Sequence, residues 1–165
     1  MLKVNQLIGF GGGVSAPSLT CGYITGDRTG TITVTATGLQ IDGGSVDDIV
    51  DGGISPPYAF YFQDAQDVTG DTIKFNFGSG KIINEAKWYQ NNTTNHGTFK
   101  WQGSNNDSDW TDIGGNFLLG NDEETSTQTE LNGNTTSYQY YRMIGQSGTT
   151  SSTPWNMEIE FSECT

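Results

Sequence analysis

The sequence predicts an all-β fold, an antiparallel β-sandwich of the jelly-roll kind with about eight strands, and three observations carry that prediction. The first is alternation with a period of two. "TITVTAT" over 31–37 puts Ile32, Val34 and Ala36 on one face and threonines on the other, and "DTIKFNF" does the same with Ile73, Phe75 and Phe77. The second is turn chemistry: 23 glycines in 165 residues, with Thr, Ser and Asn filling much of the rest, suit many short strands joined by tight turns. The third is that no stretch holds a helical period beyond a turn or two. A chain of this length fits one domain with a real core.

Taken in order, residues 1–18 read as an arm, with Leu2, Val4, Leu7, Ile8 and Phe10 ahead of the glycines at 11–13. An arm with an apolar tip adds a strand to a neighbour or lodges in a partner. Residues 19–165 form the sandwich domain. After the strand at 31–37, "LQIDGGSVDDIVDGGISPP" is too rich in Asp, Gly and Pro to sustain regular structure and reads as a loop folded back over the sheet. "YAFYFQDA" and "DTIKFNFGSGK" follow as strands, the second ending in a Gly-Ser-Gly turn before "IINEAKWYQ". Then come the loop "NNTTNHG", the strand "TFKWQGS", the turn "NNDSD" and the strand "WTDIGG". After a polar stretch at 121–128, "TQTEL" is a short strand, "TSYQYYRMIGQ" alternates again, and "WNMEIEFSEC" closes the sandwich.

Seven basic against nineteen acidic side chains give a formal charge of −12. That balance repels phosphate backbones and anionic lipid heads, so nucleic acid is not an expected partner. Acidity of this kind serves solubility, or it places some carboxylates around calcium. The first thirteen residues lack the sustained apolar run of a signal peptide, and no segment approaches a membrane-spanning length. Cys21 and Cys164 stand near the two ends of the sandwich domain. If those ends lie side by side, a disulfide would close nearly the whole chain and contribute roughly 4 to 5 kcal/mol. Two unpaired thiols are the other reading, and the redox compartment decides between them.

The ordered set "GKIINEAKWYQ", "FKWQGSNNDSDWTDIG", "YQYYRMIG" and "WNMEIEF", with "IVDGG" upstream, resembles the discoidin or coagulation-factor type C family of galactose-binding-like β-sandwiches. The resemblance covers about residues 40–165 and departs from the family at "NNDSD", where an Asp-Gly is common, and in the arm before Cys21. It implies a framework role for the 99–115 segment. Trp101 and Trp110 flank a tight turn as core or near-core residues, and Asn105, Asn106 and Asp107 bond their own backbone. Arg142 is expected as an internal ion-pair or hydrogen-bond partner.

The same resemblance implies one structural calcium between the Asp-Gly loop and the last strand, held by Asp51, Ser55, Glu158 and loop carbonyls, with Asp47 and Asp48 as nearby alternatives. It also implies a binding mouth at one end of the sandwich, built from "SPPYAFYF", "YQNNTTNHG" and "GQSGTTSSTPW". Tyr58, Tyr61, Tyr89 and Trp155 offer faces for a sugar ring, and Asn91, Asn92 and His96 offer partners for its hydroxyls. His96 is the single histidine, and a lone imidazole also serves well as a structural hydrogen-bonding group. Motifs for a metalloprotease helix, a nucleophile elbow or a phosphate loop do not occur in the sequence. The expectation is therefore a protein that binds and does not convert. Its setting is expected to be a bacteriophage virion surface, where the sandwich reads host-cell glycans and residues 1–18 anchor it to other virion proteins as a symmetric homo-oligomer. The alternatives are a structural capsid or tail cement protein, and an extracellular carbohydrate-binding module of a secreted bacterial protein.

Overall fold

The computed structural model describes residues 18–121, 126–128, 131 and 133–165. Residues 1–17, which carry most of the expected arm, lie outside the described residues. The strands are β1 (Cys21–Ile24), β2 (Thr33–Thr37), β3 (Ile41–Gly44), β4 (Phe60–Phe62), β5 (Thr72–Gln90), β6 (Thr98–Ser104), β7 (Thr111–Leu118), β8 (Ser126–Gln128), β9 (Tyr138–Ser147) and β10 (Asn156–Cys164). A 3₁₀ turn, Val46–Val50, lies between β3 and β4.

They form two antiparallel layers. In one, β10 pairs along one edge with the second half of β5 and along the other with β1 and β4; β3 extends β4, and β8 extends β5. In the other, the order is β2, the first half of β5, β9, β6 and β7. The fold is thus the antiparallel β-sandwich that alternation predicts.

β5 belongs to both layers. The Gly-Ser-Gly stretch at 78–80, expected as a turn between two strands, is instead a corner inside one 19-residue strand. Its pairing with β9 jumps from Asn76 to Lys81 there. Such corners let a strand switch sheets, and residues without bulky side chains accommodate the bend. Tyr141 braces the corner: its hydroxyl donates to the Lys81 carbonyl at 2.7 Å and accepts from the Ile83 N–H at 3.1 Å.

Phe161 of β10 is the centre of the inter-layer packing. It meets Phe75 at 5.0 Å and Phe77 at 5.1 Å between ring centroids, both edge to face, with Trp101 at 6.2 Å. All four are buried, and aromatic pairs of this kind add about 0.5–1.5 kcal/mol each beyond their buried area.

The segment 39–57 differs from the expected loop. It holds β3 and the 3₁₀ turn because Ile49 and Val50, an apolar pair among aspartates and glycines, are fully buried and pull the backbone against the core. Ser45 caps that turn by accepting from the Asp47 N–H at 3.3 Å. The hairpin at 98–118 matches expectation in its turn for Asn106, whose side-chain oxygen accepts from the Ser108 and Asp109 N–H groups. Asn105 instead donates to the Ser137 carbonyl and accepts from the Gln139 N–H, and Asp107 pairs with Lys74, because β9 and β5 run alongside the turn. Trp101 is in the core. Trp110 is not: it is half-buried, outside the core cluster, with the Arg142 guanidinium 4.0 Å from its ring centre. Arg142 also donates through Nε to Gln102 at 2.8 Å.

Candidate functional site: the loop end of the sandwich

Four connections meet at one end of the sandwich: 63–71 after β4, 91–97 after β5, 119–121 after β7, and 148–155 before β10. Backbone bonds tie them in pairs. His96 N–H donates to Leu119 O at 2.9 Å, Ala65 N–H to Thr150 O at 3.0 Å, and Asn91 N–H to Trp155 O at 3.1 Å.

Beneath them lies a buried polar plug of Gln90, His96, Thr150 and Asn156. Gln90 donates to the Thr94 carbonyl at 2.9 Å and to the Asn92 carbonyl. Thr150 donates to the Gln63 carbonyl at 2.6 Å and accepts from the Gln66 N–H at 3.1 Å. Gly120, at φ +69°, has to be glycine, because a Cβ there would collide with the Gln90 amide. Buried polar groups bonded in this way fix loop geometry, since each broken bond would strand a desolvated partner.

His96 is part of that plug and is fully buried, so it is not a sugar-contacting residue as expected. Its Nδ1 accepts from the Ser151 N–H at 3.3 Å, which leaves the proton on Nε2 to donate to Asn156 Oδ1 at 3.0 Å. Burial pulls its pKa down from 6.5 to about 4, against a smaller opposing effect of the Asn156 bond. The signal that marks it as structural is positional: it stands one residue before Gly97 at the entry to β6, where the loop turns inward.

Three of the expected aromatics come together at the surface. Tyr61 and Trp155 meet edge to face at 4.6 Å, and Tyr58 lies 6.2 Å from Trp155. All three are half-buried, so each keeps part of its ring in solvent. Asn91 holds Trp155 in place, its side-chain oxygen accepting from the Trp155 N–H at 2.8 Å. Asn92 turns into its own loop, accepting from the Thr94 N–H and hydroxyl, both at 2.9 Å. Tyr89 follows the β5 alternation on the face opposite Trp88 and donates its hydroxyl to Glu160 at 2.7 Å.

The same loops enclose an open cleft of about 540 Å³. Asp64, Thr94, Asn95, Thr149 and Ser151 supply its polar groups and the exposed Leu118 an apolar wall. Asp64 is the single ionisable side chain of the lining. A surface of hydroxyls, amides and one carboxylate can both donate to and accept from a polyol. None of the residues singled out in the sequence lines this cleft, although two of the expected loops do. The missed contribution is the 63–71 connection, which carries no aromatic residue to draw notice.

The residues expected around calcium are arranged differently. Glu158 is buried against Arg28, its other oxygen accepting from the Gly52 N–H at 2.8 Å. Asp51 accepts from the Gly53 N–H at 2.7 Å within its own turn, and Ser55 is exposed. Among the described residues no group of three His, Cys, Asp or Glu side chains is placed to hold a metal ion. Cys21 and Cys164 are joined in a disulfide across the β1–β10 pair, so of the two open readings the bridge is the one realised.

No protein-family model matches the sequence, and no curated protein matches it. Solved structures do match. The family 32 carbohydrate-binding module from C. perfringens NanJ, solved with galactose, has a TM-score of 0.61 at 15% identity over 84% of this chain and 98% of that one. A family 32 module from Clostridium perfringens solved with GalNAc-β-1,3-galactose has a TM-score of 0.60 at 14% identity, covering 81% of this chain and 96% of that one. The family 32 module of AlyQ, solved with 4,5-unsaturated mannuronic acid, gives 0.57 at 21% identity over 79% and 94%. At these identities the likeness is one of fold: the antiparallel β-sandwich is shared across nearly the whole of each module.

Proposed function

We propose that this chain is a non-catalytic carbohydrate-binding module that takes a glycan at the loop end of its sandwich. The observation that carries the reading is the aromatic trio of Tyr58, Tyr61 and Trp155 at the loop end: Asn91 holds the Trp155 backbone, and Asn91 and Trp155 stand on two of the connections that line the hydroxyl-rich cleft. Stacking on a sugar's apolar face needs a ring that is both exposed and fixed, and the polar plug beneath supplies the fixing. Fold neighbours described as carbohydrate-binding modules in complex with galactose and mannuronic acid support it. The formal charge of −12 argues against nucleic acid as the partner. No described helix is long and apolar enough to cross a membrane.

Of the settings considered from the sequence, the extracellular module of a bacterial protein has this support. The virion setting, with its anchoring to other virion proteins and its homo-oligomer, rests on an arm that lies almost wholly outside the described residues. A glycan array carrying galactose-, GalNAc- and uronate-terminated saccharides tests the binding claim. Retention on at least one class is expected, and Trp155→Ala and Tyr61→Ala should each weaken it roughly tenfold with little change in melting temperature. Unchanged retention in both variants would remove this surface from the reading.

A further inference from the structure

Calcium in a sandwich of this kind would sit where the Asp-Gly loop, the 24–28 segment and β10 converge, and would require about six to eight oxygens at roughly 2.3–2.6 Å. In this chain three oxygens at that place point at Arg28, and one of Asp51 and the second of Glu158 accept backbone N–H groups. Its Nε donates to the Gly26 carbonyl at 3.0 Å and its Nη1 to the Ile24 carbonyl at 2.9 Å, while Nη2 faces Glu158 Oε1. Arg28 is 4% exposed and Glu158 1%. The Arg28 backbone is held as firmly: its N–H donates to Val50 O at 2.8 Å, and its carbonyl accepts from the Thr31 and Ile32 N–H groups at 2.9 and 2.8 Å. Gly52, at φ +85°, brings the loop in so closely that a Cβ would lie 2.5 Å from the Gly26 carbonyl carbon.

We propose that the Arg28 guanidinium is the built-in cation of this junction, so that the chain closes β10 against residues 24–28 and 51–53 without calcium. The two buried charges, one guanidinium and one carboxylate, balance as they stand, and the carboxylates of Glu160, Asp27 and Asp51 further favour the positive charge of Arg28. A divalent ion added beside Glu158 would face a fixed positive charge across a poorly screened gap, so ion and guanidinium exclude one another. A planar fork suits the task better than a lysine would, because it reaches two carbonyls and a carboxylate at once. The consequence is a module whose fold is indifferent to the calcium level of its surroundings.

The test is thermal unfolding of the intact chain in excess EGTA and in millimolar calcium, with calorimetric titration of calcium into the folded protein. Coincident melting curves and no saturable heat are expected. Arg28→Gln should lower the melting temperature by roughly 10 °C in both media, and Arg28→Lys should recover part of that loss. A wild-type curve that rises with calcium and falls with EGTA, or saturable calcium binding, would overturn the proposal, as would an Arg28→Gln melting temperature equal to wild type. Should Arg28→Gln fail to fold, the wild-type measurements decide alone.

Discussion

At its start β10 enters the loop end through Asn156, which meets His96 in a buried, uncharged network, whereas further along it is fastened to residues 21–28 by the Arg28–Glu158 pair and the Cys21–Cys164 disulfide. Neutral amides, a hydroxyl and an imidazole hold the connections that would read a ligand. Full charges and a covalent bond hold the closure. The division has a physical reason. A network of neutral hydrogen bonds fixes loop geometry through directionality, without placing a buried charge next to a sugar-binding surface. An ion pair or a disulfide ties distant segments strongly but specifies little about the surface above it.

The strongest break in that comparison is at the closure. The bridged residues are 143 apart in sequence, and constraint of so long a loop is worth about 5 kcal/mol in the chain-entropy model. The double variant Cys21→Ser/Cys164→Ser should therefore unfold at much lower denaturant concentration while keeping its glycan retention at a temperature where it is folded. Loss of retention in the folded variant would mean that the two flanks are not independent.

A smaller effect sharpens the loop end. The folded pKa of His96 lies near 4, below its ordinary 6.5, so the unfolded chain takes up the extra proton first. Stability from this group is full above about pH 6.5 and declines as pH falls toward 4, by about 3 kcal/mol in total. Denaturant melts between pH 7 and 4 should show that slope, and His96→Gln should flatten it. An unchanged slope in the variant would assign the acid sensitivity to other groups.

Much of the fold was legible because alternation is local: Ile73, Phe75 and Phe77 announce a buried face before any partner is known. The corner at 78–80 was misread because glycines mark turns and strand bends alike, and the choice between them depends on Lys81 pairing with Tyr138 far along the chain. At the site, Trp155, Tyr61 and Tyr58 were singled out by their chemistry, and the structure groups the three, Tyr58 and Trp155 from connections and Tyr61 from β4. His96 was misjudged because a single imidazole carries no sign of its depth. Arg28 went unnoticed altogether: an arginine between Asp27 and Thr29 looks solvated until Glu158, 130 residues later, closes on it.

Amide chemical shifts of the isotope-labelled protein, recorded while a saccharide retained on the array is titrated in, test the central claim most directly. Saturable shifts confined to 58–65, 91–97 and 148–155, absent in Trp155→Ala, are the predicted result. Shifts centred instead on the outer face of β6 and β9, around Trp110 and Arg142, or none at any saccharide concentration, would contradict it.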